Sequence, residues 1–184
     1  MINLIAGVVL FSLAHLARRT MPSLIGALPD IPRKILVALM LILSVWMMGK
    51  GYGEASAGIL WTVPNAVRMV AVFLMALAFI LFFSTHPGAA LRSRMRHPQL
   101  TGFKLWAILH MLVNGDVRSV VLFGGLLIWA VVSVIIINKQ TGKPPLPAPS
   151  DNALIAWMAI PIGLAVWVAI FLGHEWLFGV SPLV

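Results

Sequence analysis

The stretch VRSVVLFGGLLIWAVVSVIII, residues 117–137, decides the fold of this chain. Its 21 residues contain one charged side chain, Arg118, close to the start. A helix needs about 20 mostly apolar residues to cross a bilayer, and lipid offers the backbone no hydrogen-bond partners outside the helix itself. Residues 117–137 are therefore predicted to form a membrane-spanning helix.

Five further apolar segments have the same character, although some of them are short. They cover residues 2–17, 35–48, 64–84, 101–114 and 153–173. Polar, glycine-rich or proline-rich sequence separates them, most clearly KQTGKPPLPAPSD at residues 139–151, and such sequence is typical of loops. We predict an all-α fold, a polytopic transmembrane helical bundle of about six spans, in a single domain of residues 1–184.

The overall composition also indicates a lipid environment. Hydrophobic residues make up 61% of the chain and charged residues 10%, whereas a soluble domain has about 25% charged residues. The net charge of +8 does not indicate a nucleic-acid partner, because the basic residues stand at the ends of apolar segments. Cysteine is absent, which excludes disulfides and thiolate ligands. The expected partner is a lipid bilayer, with no nucleic acid.

The basic residues also predict the orientation in the membrane. With the N-terminus outside, the cations of the inner loops are Arg18, Arg19, Arg33, Lys34, Arg92, Arg94, Arg96, Lys139 and Lys143. The outer loops then hold Lys50 and Arg118, while Arg68 lies one turn inside the third span, where its long side chain is expected to reach the headgroups. Cytoplasmic loops carry an excess of lysine and arginine. We therefore predict an integral protein of the bacterial inner membrane with both termini in the periplasm.

The histidines are the candidate functional residues, and each lies in or next to a predicted span. They are His15, His86, His97, His110 and His174. A single histidine on an apolar helix is more often a packing residue than a ligand, but five of them in a chain with few polar groups favour a site. Neutral imidazole is a preferred ligand of iron, copper and zinc, and it can be buried without its charge.

The spacing of the histidines narrows the choice of metal site. No two are closer than eleven residues, and HExxH does not occur, so that neither a di-iron histidine cluster nor a zinc-protease motif is present. Haem b needs one or two histidines from different helices, an apolar slot and cations near its propionates. On span four, Phe103, Trp106, His110 and Asn114 fall on one helix face, and aromatic rings beside a histidine suit a macrocycle.

The stretch RHPQLTGFKLWAILHMLVNGD, residues 96–116, resembles the signature of the NnrU family of membrane proteins. LFSLAHLARRT around His15 and GHEWLFG around His174 also look similar to that family. The family is named for bacterial denitrification genes, and it includes the 15-cis-zeta-carotene isomerases. The resemblance touches both ends and the centre of the chain, and we take it to cover the whole chain.

This resemblance implies a small multi-span protein with buried histidines, and the similar isomerase branch holds a haem b whose iron is ligated by histidine. Carried over by motif, His15 and His110 are the candidate axial ligands of the iron, and His97 and His174 come next. From the residues themselves, Trp106 is expected to line the macrocycle, and Arg18, Arg19, Arg96 or Lys104 to neutralise the propionates. The depth of each residue in its span favours different pairs, namely His110 with His174, and His15 with a histidine of the basic loop.

Four functions stay open on the sequence. The first is a b-type haem protein that serves denitrification or nitrogen-oxide respiration. The second is a haem-dependent isomerase of a lipid-soluble polyene, although the isomerase branch has extra sequence after the central motif and this chain does not. The third resembles the isoprenylcysteine carboxyl methyltransferases, which share an Arg-His-Pro motif. The fourth is a structural subunit of a larger membrane protein complex.

Overall fold

The computed structural model describes residues 1–23, 27–143 and 145–183. Within these ranges the chain forms six long helices, in agreement with the predicted all-α bundle. They are α1 Ile2–Thr20, α2 Asp30–Glu54, α3 Asn65–Phe83, α4 Pro98–Asn114, α5 Val117–Thr141 and α6 Ala153–Phe178. Each helix contains most or all of one predicted span. The largest extensions beyond the prediction are at α2, α5 and α6, where polar end residues continue the helix.

Five of the helices are long and apolar enough to cross a membrane, and α4 is the exception because it has 17 residues. A span needs about 17–25 residues, so α4 is at the lower limit. Between 11% and 28% of the most apolar window of each of the five is buried within the protein. Most of their apolar surface therefore faces outward, where lipid is the only solvent that stabilises it.

The order in which the helices pack differs from their order in the chain. Helix α1 packs against both α2 and α5, α5 packs against α4, and α3 lies between α4 and α6. Two glycines permit close approach to α3. A Cβ atom on Gly102 of α4 would lie 2.4 Å from the Ala78 carbonyl oxygen, and one on Gly163 of α6 would lie 2.7 Å from Ile80 Cα. Small residues at such contacts are typical of membrane helix packing.

The two ends of the bundle have different character. The basic end is where α1 and α5 end and α2, α4 and α6 begin. Its cations are Arg18, Arg19, Arg33, Lys34, Arg92, Arg94, Arg96, Lys139 and Lys143. At the far end, α4 turns directly into α5 through Gly115, whose φ is 62°, and Asp116 accepts a hydrogen bond from the Ser119 amide at 2.7 Å. The far end is thus closed by a glycine C-cap followed by an aspartate N-cap.

Candidate functional site

Three of the five histidines have the same hydrogen bond. Their Nδ1 atoms contact a backbone carbonyl oxygen: His15 to Phe11 at 3.1 Å, His110 to Trp106 at 3.0 Å and His174 to Val180 at 2.7 Å. Because a carbonyl oxygen only accepts, Nδ1 carries the proton, and the neutral ring keeps an unprotonated Nε2. Metal-binding histidines usually have their second nitrogen fixed in this way.

The other two histidines have structural partners near the basic end. His97 Nε2 lies 2.8 Å from the side-chain oxygen of Asn138, which ties the start of α4 to the last turns of α5. His86 Nδ1 accepts a hydrogen bond from the Gly88 amide at 3.1 Å and so stabilises the turn after α3. Ligation of haem by His97 through Nε2 would require it to release Asn138, whereas this hydrogen bond leaves Nδ1 as the other ring nitrogen.

His110 lies in an aromatic environment that the helix-face pattern predicts in part. Its ring centroid is 4.8 Å from that of Trp106, one turn earlier on α4. Phe123 of α5 stacks against it at 4.7 Å with an interplanar angle of 29°. Phe123 belongs to a π-helical turn, Val120–Gly124, and π-turns inside helices occur frequently at functional sites. Trp106 and Phe123 also contact each other, with centroids 5.2 Å apart, so His110 belongs to a cluster of three rings, with its Nδ1 already bonded.

The structure does not bring the His15 and His110 rings together. His15 contacts Trp129 at 4.9 Å, and the path continues through Phe103 at 5.1 Å to Trp106 at 5.2 Å. Three aromatic rings thus separate the two histidines. His15 lies near the basic end of α1, whereas His110 lies near the far end of α4. That these two ligate one iron stays a prediction from sequence.

His174 is the histidine that the fold brings nearest in depth to His110. Each of the two lies four residues before the last residue of its helix at the far end, in α4 and α6 respectively. His110 and His174 therefore form the pair that the depth of the spans favours, with both Nε2 atoms unprotonated in the neutral rings.

Arg68 of α3 is a further polar residue at this level, and the sequence pattern did not assign it to the site. It lies on the same face of α3 as Ala71 and Ala78, which are buried between helices. Its Nε atom is buried and has no hydrogen-bond partner among the described residues. Part of the guanidinium group therefore lies against protein, and the expectation that its end reaches the lipid headgroups stays a prediction.

The helix register places Arg68 beside the two histidines in depth. Helix α3 runs antiparallel to α4 and α6, and its contacts are Ala78 with Gly102 and Ile80 with Gly163. Counting along the helices from these contacts, Arg68 is level with Leu112 of α4 and Glu175 of α6. At about 1.5 Å per residue, it lies within about 3 Å in depth of His110 and His174. The sequence feature that could have assigned Arg68 to the site is the presence of an ionisable residue inside a span.

An apolar cavity of about 170 Å³ lies between α3 and α4, on the basic-end side of His110. Its walls are Ala78, Phe79, Phe82, Gly102, Phe103 and Trp106. Ligand pockets usually measure about 300–1,000 Å³, so this cavity alone is too small to hold a macrocycle. The lining suits the apolar part of a ligand and offers it no charged group.

The donor set fits haem better than a bare metal ion. Over the described ranges, no three histidine, aspartate or glutamate side chains come together to hold a metal. Haem requires fewer protein ligands because the macrocycle supplies the others. Two neutral imidazoles with fixed Nδ1–H groups, aromatic rings beside one of them and an arginine at the same depth are groups that haem b uses.

The fold and these residues define the class of the protein: an integral, polytopic helical membrane protein with histidines near both ends of its bundle. A family model described as NnrU protein matches residues 3–182, almost the full length of 184 residues. The chain belongs to the NnrU family. Comparisons with curated proteins and with solved structures found no match.

Proposed function

We propose that this member of the NnrU family binds haem b through histidines of two helices and serves denitrification or a related nitrogen-oxide respiration. The observation that carries the proposal is His110. Its Nδ1–H group is donated to the Trp106 carbonyl, its ring is stacked on Phe123, and its Nε2 is left for a metal. We place the basic end in the cytoplasm of a bacterial cell, because basic loops stay on that side.

The geometry supports His174 as the second ligand. It shares the depth of His110 and the same Nδ1 hydrogen bond to a backbone carbonyl. His15 has that hydrogen bond as well, but three aromatic rings stand between it and His110. His15 is therefore the ligand of the alternative pair, or of a haem bound near the basic end.

Arg68 fits the role of propionate partner in this arrangement. An arginine paired with a carboxylate forms a strong, charge-assisted contact, and it would satisfy the buried Nε. Arg96, one of the cations expected from the sequence to take this role, precedes the first residue of α4. His110 is about 18 Å along the helix from that residue. Arg96 thus suits an anion at the basic end.

The protein's own residues would hold, orient and shield the group. When bound, haem b supplies a redox-active iron. The carbonyls of Trp106 and Val180 keep each imidazole in the tautomer that presents Nε2. Trp106 and Phe123 fix the plane of the His110 ring and exclude water from it.

The first test is the absorption spectrum of the detergent-purified protein, oxidised and reduced with dithionite. We expect a Soret band and sharp reduced α and β bands, which indicate low-spin haem with two histidine ligands. His110→Ala should lose the haem, and His174→Ala should lose it or become high-spin. His86→Ala is the matched control and should keep the spectrum.

Three results would contradict parts of this proposal. A folded, homogeneous and colourless wild-type protein would remove haem and leave the methyltransferase-like and structural-subunit functions. Full haem occupancy in His110→Ala would show that His110 is not a ligand of the iron. If haem is lost in His15→Ala but retained in His174→Ala, the axial ligands are His15 and His110, as the family motif suggests.

The apolar cavity beside Trp106 supports a second candidate, the isomerisation of a polyene. Phe79, Phe82 and Phe103 form aromatic walls against which a conjugated chain could pack. Expression in a bacterial host that accumulates cis-zeta-carotene tests this function. Conversion to another geometric isomer, detected by chromatography and abolished in His110→Ala, would establish it. An unchanged isomer ratio with haem-loaded protein would exclude it.

A further inference from the structure

A second cavity, of about 290 Å³, lies at the basic end of the bundle. Arg92, Arg96 and His97 line it on the side of α4, and the last turn of α5 with the following proline-rich segment forms the other wall. The site described above is at the far end, so this cavity is separate from it. Neither the family match nor the proposed haem site gives it a role.

Hydrogen bonds join the helices and loops that surround this cavity. His97 is bonded to Asn138 at 2.8 Å, which connects the two walls. Arg92 donates to the Thr85 carbonyl, and the Gln140 amide donates to the Arg19 carbonyl at 2.8 Å. Helices α1, α4 and α5 are thereby linked at one level. The cavity is therefore part of the fold and is not a gap between independent loops.

The charge at this end favours an anion. Nine cations lie there, as given above for the basic end, whereas the acidic residues of the same end are Asp30 and Asp151. Asp30 forms an ion pair with Arg33, which leaves Asp151 as the remaining carboxylate against the other cations. A concave surface lined by one sign of charge concentrates counter-ions. The guanidinium groups of Arg92 and Arg96 are of the kind that binds phosphate.

The depth of this cavity and its apolar lining indicate that the anion belongs to a lipid. Ile137, Leu146 and the prolines give the cavity an apolar side, and the cavity lies where the apolar part of α5 ends. A lipid headgroup lies at that depth, with its acyl chains beside the helix. Basic pockets at the cytoplasmic ends of spanning helices bind anionic headgroups.

We propose that the basic-end cavity binds the phosphodiester headgroup of an anionic glycerolipid, with Arg92 and Arg96 contacting the phosphate. The acyl chains then follow the lipid-facing side of α5. This binding is independent of the haem proposal, because it uses neither His110 nor His174.

The test is native mass spectrometry of the full-length, detergent-purified protein with dioleoyl phosphatidylglycerol or dioleoyl phosphatidylcholine. The wild type should retain phosphatidylglycerol at least about tenfold better. The double variant Arg92→Gln/Arg96→Gln should lose most of this preference. The matched control Lys34→Gln/Arg94→Gln removes the same charge from exposed positions outside the cavity, and it should change retention by no more than about threefold.

Arg92→Gln also removes the hydrogen bond from Arg92 to the Thr85 carbonyl, which could disturb the folding of the loop. A second variant therefore tests the cavity without changing Arg92. Thr141→Trp keeps every cation and fills the cavity from its exposed edge. It should also lose the preference for phosphatidylglycerol. Two results would overturn the site, because they would indicate that the lipid is attracted by the overall positive charge of this end. One is an equal loss of phosphatidylglycerol in the two double variants, and the other is full retention of phosphatidylglycerol in Thr141→Trp.

Two further results would assign the cavity to another anion and so overturn the lipid. The first is displacement of phosphatidylglycerol by millimolar inorganic phosphate, which would identify a site for free anions. The second is loss of haem absorbance in Arg92→Gln/Arg96→Gln with unchanged lipid retention, which would identify a haem carboxylate. The expected result is an unchanged spectrum and no displacement by phosphate.

Discussion

Gly115 is the residue at which three segments of the far end meet. Its carbonyl oxygen accepts hydrogen bonds from the amides of Leu60 at 2.7 Å and Trp61 at 3.1 Å, so the loop after α2 is fastened to the turn between α4 and α5. Its φ of 62° lies in the left-handed region. A Cβ atom here would lie 2.1 Å from the Trp61 carbonyl oxygen. A side chain at this position would disturb the turn and the loop together.

Gly115→Ala should therefore destabilise the protein. The left-handed conformation alone costs a non-glycine residue about 1–2 kcal/mol, and the contact with Trp61 adds to this. We expect a lower midpoint of thermal unfolding in detergent. Gly49→Ala is the control, since a Cβ atom at Gly49 of α2 meets nothing within 4 Å, and its midpoint should stay or rise. Equal midpoints would show that the turn tolerates a side chain.

Much of the candidate site could be read from residue spacing, but its polar contacts could not. The helix face of Phe103, Trp106 and His110 predicted neighbouring rings, and their centroids are 5.2 Å and 4.8 Å apart. The spacing of residues within one helix does not show which residues of other helices contact them. Phe123 on His110, and Arg68 level with His174, depend on how the helices pack. The prediction of buried histidines is also incomplete, because His15 is exposed in the structure.

At the scale of the helix, α4 is the element on which the site depends, although it is the shortest of the six long helices. It is short, and its close packing on α3 depends on Gly102, where Cβ would lie 2.7 Å from the Phe82 amide nitrogen. Backbone atoms cannot move aside as a flexible side chain can. Hydropathy identified α4 as apolar, while its contact with α3 explains why such a short helix is stable there.

Gly102→Leu should separate α3 from α4. Overpacking typically costs about 1–3 kcal/mol, and a clash with the backbone of a neighbouring helix is expected at the upper end of that range. The measurement is the thermal midpoint with the elution profile in detergent. Gly49→Leu adds the same side chain where the structure has open space, and it should elute and melt like the wild type. A normal profile for Gly102→Leu would mean that the two helices are not tightly packed.

The π-helical turn of α5 had no signal in the sequence. Residues 120–124 read VVLFG, inside a stretch that is apolar on all sides, so a change in the number of residues per turn leaves no break in hydrophobic periodicity. The same uniformity made the span itself easy to predict. Where every face is apolar, composition establishes that a helix crosses the membrane but not which face meets the other helices.

At the scale of the whole molecule, the helical class and the approximate spans could be predicted, and the packing order could not. Each span is apolar and has about the right length, which hydropathy detects. That α1 packs against α5, and that α3 lies between α4 and α6, results from close contacts such as Gly163 on Ile80. In lipid these contacts replace the hydrophobic effect as the reason for association, and they leave only scattered small residues in the sequence.

The orientation of the molecule can be tested directly, because the chain has no cysteine of its own. Lys50→Cys at the far end and Lys143→Cys at the basic end are exposed positions. In intact bacterial cells, a membrane-impermeant maleimide should label Lys50→Cys, whereas Lys143→Cys should be labelled after permeabilisation. The unsubstituted chain gives the background. The opposite pattern would contradict the positive-inside prediction, and it would turn the basic-end cavity away from the anionic cytoplasmic leaflet on which the lipid proposal depends.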